Sequence, residues 1–489
     1  MTDREIARPH APVLDVIVVG AGFSGIGAAI KLQEAGIEFI VLEKSSEIGG
    51  VWRDNRYPDC ACDIPSPLYS YSFAPNPHWS HLFAKQAQIK AYCAETARKF
   101  GVIGRVRLQH ELLEAVWSKA EQIWVLQTNA GTFRARFVVM ASGPMHVPTV
   151  PQIPGLHSFS GTYFHSSRWD PQFDLSNQRV AVVGSGASAI QFLPLIAPQV
   201  KELTLFQRTA PWVLPKSDFA ISPAWQQRFQ NHPWLQGLLR GVLYLQFEAL
   251  NTSLKFPWLI KRLQRIGLRN IHRGVQDPDL RKQLTPNFAL GCKRILQSNT
   301  WYRALSRPNV RVVSGIREIQ GRLLVATDGK RCEVDAIIFA TGFEVSVPPI
   351  AQRIIGASGK PLAEQWNGSP QAYLGTMFED CPNLFLTLGP NLYTFASAFT
   401  IIETQVKFIV SAIKTAHSRQ IVSIRVNPEK SRRYNQALQS ALARTVWNSG
   451  CSSYFLDHNG RNSTNWPWTT FWMRAQLRRF RVGDFLTDR

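Results

Sequence analysis

Two short glycine-rich stretches constrain this chain more than anything else in it. Gly20-Ala-Gly22-Phe-Ser-Gly25 follows the apolar run Val13 to Val19 and leads into a helical pattern, Ser24 to Ala35, that Gly36 ends. Gly184-Ser185-Gly186-Ala187-Ser188-Ala189 follows a second apolar run, Arg179 to Val183. A nearly continuous apolar run is what a strand buried on both faces of a parallel sheet requires. In the turn after it, the first Gly permits the tight bend and the second lets the backbone approach a pyrophosphate. The third lets helix and strand pack closely. The helix N-terminus then offers unpaired N–H groups and positive potential to phosphates. Two such units imply an α/β chain with two Rossmann-like dinucleotide-binding domains. A length of 489 residues is enough for two or three domains.

The two units differ where the nucleotide is read. The strand Glu38 to Glu43 ends the first unit on a carboxylate, Glu43, which can accept a ribose hydroxyl hydrogen bond. The second unit's second strand, Leu203 to Phe206, ends in Gln207-Arg208-Thr209 with no acid. A carboxylate there would repel a 2′-phosphate, whereas Arg208 can bind one through charge-assisted hydrogen bonds. The second nucleotide is therefore expected to be NADPH. A Pro-rich connector at 146–155 has linker composition. Val138 to Gly143, Ala336 to Phe339 with Ala340-Thr341-Gly342-Phe343 after it, and Leu384 to Gly389 read as later strands and crossings. The first domain is thus expected to be discontinuous, at 1–150 and 343–489. The second occupies 151–212 and 292–342, with a helical insertion at 213–291.

Composition narrows the partners. The chain carries 55 Lys+Arg against 34 Asp+Glu, a formal charge of +21, which suits anionic partners. No nucleic-acid motif accompanies it. Residues 221–282 contain ten of the basic residues and three acids among many Leu and Trp, and read as amphipathic helices. They are either a covering insertion or a membrane-surface patch. Seven scattered cysteines suggest reduced thiols in a cytoplasmic protein. Cys60-Ala-Cys62 has neither metal spacing nor the spacing of a redox dithiol. Asp15 and the glycines from 20 to 27 make the N-terminal apolar stretch a strand and turn rather than a leader, and no apolar run is long enough to span a membrane.

Residues 159–170 carry the sharpest signal. Phe159-x-Gly161-x-x-x-His165-x-x-x-Trp169-Asp170 resembles the fingerprint of the type I Baeyer–Villiger monooxygenases, in the flavin-containing monooxygenase superfamily. Gly49-Gly50-Val51-Trp52, then Tyr57-Pro58 and Asp63, resembles a second signature of that family, except that Asp59 stands where Gly is usual. The resemblance spans nearly the whole chain. It implies FAD in the first domain and NADPH in the second, with a C4a-peroxyflavin that attacks a ketone to give an ester or lactone. It implies that Tyr69 contacts the flavin, that Lys293 helps bind the 2′-phosphate, and that Arg294 reaches flavin and nicotinamide. A permanently charged guanidinium would stabilise the anions of that chemistry, with Asp63 orienting it. His165 and Trp169 are assigned to positioning and domain coupling. Ser453 stands where the family's mobile loop has Trp, which leaves Trp466 and Trp468 as candidates to close the pocket. The rival readings are a monooxygenase of nitrogen or sulfur, a disulfide or quinone reductase, and a membrane-binding protein without activity. The residues leave open which ketone is taken, its regiochemistry and the oligomeric state.

Overall fold

The computed structural model describes residues 12–345 and 348–489. β1 (Val13–Val19), α1 (Phe23–Glu34) and β2 (Phe39–Leu42) follow one another as the first glycine-rich stretch predicts. β1 and β2 pair in parallel, with Val16 opposite Phe39 and Val19 opposite Leu42. Val16, Ile17 and Val18 have no solvent exposure, which is why this strand reads as an unbroken apolar run. The sheet then grows by a meander that the sequence reading only partly found. β3 (Leu112–Ser118) and β4 (Ile123–Thr128) pair antiparallel, as do β4 and β5 (Gly131–Met140). β5 then lies parallel to β1. Only the fully buried tail of β5 carries the apolar run; its first half is partly exposed and mixed in character.

The second sheet is built from β6 (Thr162–His165), β7 (Arg179–Val183), β8 (Glu202–Phe206), β9 (Val310–Val313) and β10 (Ala336–Phe339), with α2 (Ala189–Ile196) between β7 and β8. Its order is β9-β8-β7-β10-β6 and every pair is parallel. Between β8 and β9 the chain leaves the sheet for α3 (Pro223–Asn231), α4 (Pro233–Ser253) and α5 (Pro257–Gly274). Each begins on a proline, whose missing N–H costs nothing in the first turn. β11 (Leu384–Leu386) returns the chain to the first sheet, parallel to β5. α6 (Ala398–Ser418) packs against α1, and α7 (Thr470–Gln476) packs against α6. The carboxyl ends of β1 and β7, each followed by a glycine-rich turn, are where a doubly wound sheet offers its ligand crevice.

Candidate active site

The three glycines of the first turn are required for different reasons. A Cβ on Gly20 would lie 2.6 Å from the Ala141 carbonyl oxygen, and one on Gly25 would lie 1.8 Å from the Gly20 carbonyl oxygen. The fold itself excludes a side chain at both. A Cβ on Gly22 would meet nothing closer than the Gly50 Cα, at 3.5 Å. The chain leaves room at Gly22 that its own packing does not use, which fits a pyrophosphate passing there. Gly50 faces Gly22 across this gap and adopts a φ of 54°. Gly22→Ala is therefore expected to fold with normal apo-protein melting yet to hold FAD about ten- to a hundredfold more weakly, the equivalent of 1–3 kcal/mol of overpacking. Equilibrium dialysis of FAD against the variant checks this.

Glu43 is 4% exposed and already well ordered. Its carboxylate accepts from the Ala21 N–H at 2.8 Å, the Ser45 N–H at 3.0 Å and Arg53 Nη1 at 3.0 Å. A carboxylate has about four acceptor positions, so one remains for a ribose hydroxyl. Val51 and Trp52 open a short helix after Gly50. Trp52 Nε1 donates to the Tyr69 hydroxyl at 3.0 Å, and the Tyr69 ring lies 5.0 Å from that of Phe399. Burial pushes the Tyr69 phenol well above its usual range, so it stays neutral. Asp59 holds a φ of 61°, the left-handed conformation that explains a Gly at this position in the family's signature, and it pairs with Lys85.

The second turn repeats the logic with one change. A Cβ on Gly184 would lie 2.6 Å from the Ala340 carbonyl oxygen, whereas one on Gly186 would have only that oxygen near it, at 3.8 Å. Ala189 takes the third position fully buried. Gly186 and Ala187 are exposed, and Ser188 caps α2 without a side-chain hydrogen bond. Ser185 Oγ donates to the Thr209 carbonyl at 3.4 Å. Arg208, exposed at the end of β8, and Lys293, half-buried, lie close enough to repel. The Lys293 ammonium is pushed down by burial and then by the charge of Arg208. Among the described residues neither has a carboxylate within salt-bridge reach. Two cations held together without an acid fit a bound phosphate.

Arg294 lies beside this pair and connects to the first domain. Its Nε donates to Asp63 Oδ2 at 3.0 Å, its Nη2 donates to the same oxygen, and its Nη1 donates to the Tyr393 hydroxyl at 2.7 Å. Three of the five guanidinium donors are thus engaged and two remain. Burial opposes the charge, but Asp63 outweighs it and holds the guanidinium protonated well above its usual value. The side chains of Arg294 and Asp63 keep 25% and 32% of their surface open. Tyr393 was not found from the sequence.

Two expectations are corrected here. Trp466 is 1% exposed with its Nε1 donating to the Thr469 carbonyl, so it is core and cannot serve as a closing residue. Trp468 packs edge-on against it, with ring centroids 4.9 Å apart. Beside Arg294 and Tyr393 lie Tyr454, which follows Ser453 directly, and Phe455, whose ring is 5.6 Å from that of Tyr393. Nor are all cysteines thiols. Cys292 and Cys451 form a disulfide with Cα atoms 6.2 Å apart, tying the residue before Lys293-Arg294 to the 451–454 segment. The other five are buried free thiols, and burial pushes Cys60 up to about 12. Thiol titration of the unfolded protein should count five free thiols before reduction and all seven after it. Closing a loop of 159 residues is worth about 3–5 kcal/mol, so Cys451→Ser should lower the melting temperature by several degrees.

The fingerprint residues lie beside the site and shape its surroundings. A Cβ on Gly161 would meet the Asp335 carbonyl oxygen at 2.2 Å, and Phe159 packs in the second domain's core. His165 ends β6, and its Nδ1 accepts from the Ser167 N–H at 3.1 Å. Burial lowers its pKa to about 4, with the Gly342 backbone only partly opposing, so the imidazole is neutral at neutral pH. Trp169 packs on Phe192 of α2 at 5.2 Å, and Phe192 packs on Tyr57 of the first domain at 6.0 Å. Asp170 accepts from the Gln172 N–H, which closes a local turn.

A mixed sheet and a parallel sheet, each with a glycine turn at the carboxyl end of a parallel strand, and a charged arginine that joins them define a two-dinucleotide flavoprotein. Residues 17–236 match the pyridine nucleotide-disulphide oxidoreductase family model. The chain is 43% identical to a Baeyer–Villiger monooxygenase of Streptomyces coelicolor, over 99% of this chain and 94% of that one. A Baeyer–Villiger monooxygenase of Pseudomonas aeruginosa is 41% identical, over 96% and 90%. A crystal structure of OTEMO with FAD and NADP has the same fold, with a TM-score of 0.88 at 23% identity over 98% of this chain and 100% of that one. The chain belongs to the Baeyer–Villiger monooxygenase family.

Proposed function

We propose that this protein oxidises ketones to esters or lactones with O2 and NADPH, Arg294 being the catalytic residue and Asp63 the residue that positions it. The observation that carries the reading is the Arg294–Asp63 pair, two N–H donors still free, between the two nucleotide turns. Gly20, Gly22, Gly25, Glu43, Gly50, Val51, Trp52 and Tyr69 are assigned to FAD. Gly184, Ser185, Gly186, Ala187, Ser188, Arg208, Thr209 and Lys293 are assigned to NADPH. Bound FAD, reduced by NADPH, supplies the activated oxygen; one atom enters the ketone and the other leaves as water. Arg294 keeps a fixed positive charge where negative charge develops on the attacking oxygen and on the former carbonyl oxygen. Asp63 and Tyr393 hold the guanidinium plane in place, so no reorganisation accompanies the charge shift.

The domain division is proposed as 1–150 with 343–489 for FAD, and 151–212 with 292–342 for NADPH, interrupted by the insertion at 213–291. Among the described residues no helix is long and apolar enough to cross a membrane. A cytoplasmic setting fits the five buried free thiols, with the one disulfide as the exception. The test is a panel of cyclic and linear ketones under 18O2, with a thioether beside them. Esters carrying one labelled oxygen support the reading. Sulfoxide alone, with every ketone recovered unchanged, overturns it.

A further inference from the structure

α4 is built inside out. Three of its four most buried residues are polar: Gln236, Glu248 and Asn251. Gln236 Nε2 donates to the Asn76 carbonyl at 2.6 Å, and Glu248 accepts from the Thr470 hydroxyl at 2.6 Å. The opposite face carries Trp234, Leu238, Val242 and Leu245, at 66%, 60%, 45% and 59% exposure. Their spacing places them along one stripe of the helix. The patch continues onto α7, where Phe471 packs edge-on to Tyr244 of α4 at 5.1 Å and Phe471 and Trp472 are about half exposed. Just past the C-terminus of α4, Phe256 and Trp258 are exposed as well. Soluble monomers rarely leave apolar side chains gathered in this way.

Charge identifies what covers the patch. Between Asp218 and Asp277 the only acid is Glu248, and it is buried. α5, whose first turn carries Trp258, exposes Lys261, Arg262, Arg265 and Arg269. A cleft of about 710 Å³ behind α4 is lined in part by Lys407, Lys414, Arg474 and Arg478; its two carboxylates, Glu34 and Glu403, pair with Lys31 and Arg240. Among the described residues none of Lys407, Lys414, Arg474 and Arg478 has a carboxylate within salt-bridge reach. A second copy on this face would bring two cationic rims together, within a pair of chains that each carry +21. An anionic lipid surface instead offers negative headgroups to the rim and an acyl boundary to Trp, Phe and Leu.

We propose that α4, α7 and the Phe256–Trp258 corner are the surface by which this protein docks on an anionic phospholipid bilayer. It lies on that bilayer without spanning it. This surface is independent of the catalytic assignments above. The test is sedimentation of the FAD-loaded enzyme with phosphatidylcholine vesicles, with and without phosphatidylglycerol, at low and high salt. Binding is expected only to the phosphatidylglycerol vesicles and should weaken as salt rises. The double variant Leu238→Ser/Leu245→Ser should lose about tenfold or more in binding, since two apolar side chains no longer insert. Its NADPH oxidation in free solution should match that of the unaltered enzyme. Failure to bind phosphatidylglycerol vesicles overturns the proposal, as does unchanged binding by the double variant. Light scattering that shows a dimer which the same substitutions dissolve would place a second copy on this face and also overturn it.

Discussion

Arg294→Ala is expected to consume NADPH and O2 yet form almost no ester, releasing hydrogen peroxide instead. The two half-reactions are separable, and the side chain bears on them unequally. Flavin reduction needs NADPH to be held, which the proposed contacts of the second turn, Arg208 and Lys293 would still do without Arg294. Oxygen insertion concentrates negative charge first on the attacking oxygen and then on the former carbonyl oxygen. A preorganised cation in a partly dry site is worth on the order of 3–4 kcal/mol there, or about a hundred- to a thousandfold in rate. The guanidinium carries this charge at every working pH, because Asp63 outweighs the burial that opposes it. Stopped-flow absorbance on reduction, with product and peroxide analysis after mixing with oxygen, separates the steps. Near-normal ester yield from Arg294→Ala would remove this residue from the mechanism.

Companion variants separate charge from geometry. Arg294→Lys keeps the charge but cannot span Asp63 Oδ2 and the Tyr393 hydroxyl at once, since an ammonium lacks the planar fork. It should rescue poorly. Asp63→Ala leaves the cation in place with one anchor, Tyr393, and should show a milder version of the same uncoupling.

How much of this was legible in the sequence follows from how far apart the partners lie. The two glycine turns were readable because each is a local pattern: a strand, a bend that one backbone atom closes, and a helix. Gly25 is needed because the Gly20 carbonyl oxygen sits where its Cβ would be, and those residues are five apart. The Arg294–Asp63 pair spans 231 residues, so no periodicity connects it, and only the resemblance to a family placed them together. Tyr393 had no such help. Cys292 and Cys451 were misread as thiols because an odd count and scattered spacing describe the chain and not its folding. The insertion was recognised as helical, but its sidedness was not. Polarity alone assigns Gln236, Glu248 and Asn251 to solvent, and only their partners Asn76, Thr470 and Trp468 turn them inward. Trp466 misled for the opposite reason, since an aromatic near a motif is more often core.

Arg208→Ala is expected to raise the Michaelis constant for NADPH by about ten- to a hundredfold while leaving that for NADH nearly unchanged. A charge-assisted hydrogen bond to phosphate contributes about 1.5–3 kcal/mol, and each 1.4 kcal/mol is a factor of ten. The effect should be specific to the 2′-phosphate because, among the described residues, Arg208 has no carboxylate within salt-bridge reach to hold it elsewhere. Burial and the charge of Arg208 both push the Lys293 ammonium down. Removing Arg208 also relieves Lys293 of a like charge, so the lysine ammonium becomes easier to keep protonated and partly compensates. Lys293 can compensate only while it is present, so the double variant should lose more than the product of the two single effects. Steady-state kinetics with both nucleotides across the four proteins reads this directly. Equal losses for NADPH and NADH in Arg208→Ala would show that this arginine does not read the phosphate. Strict multiplication of the two single effects would show that the two cations do not share one.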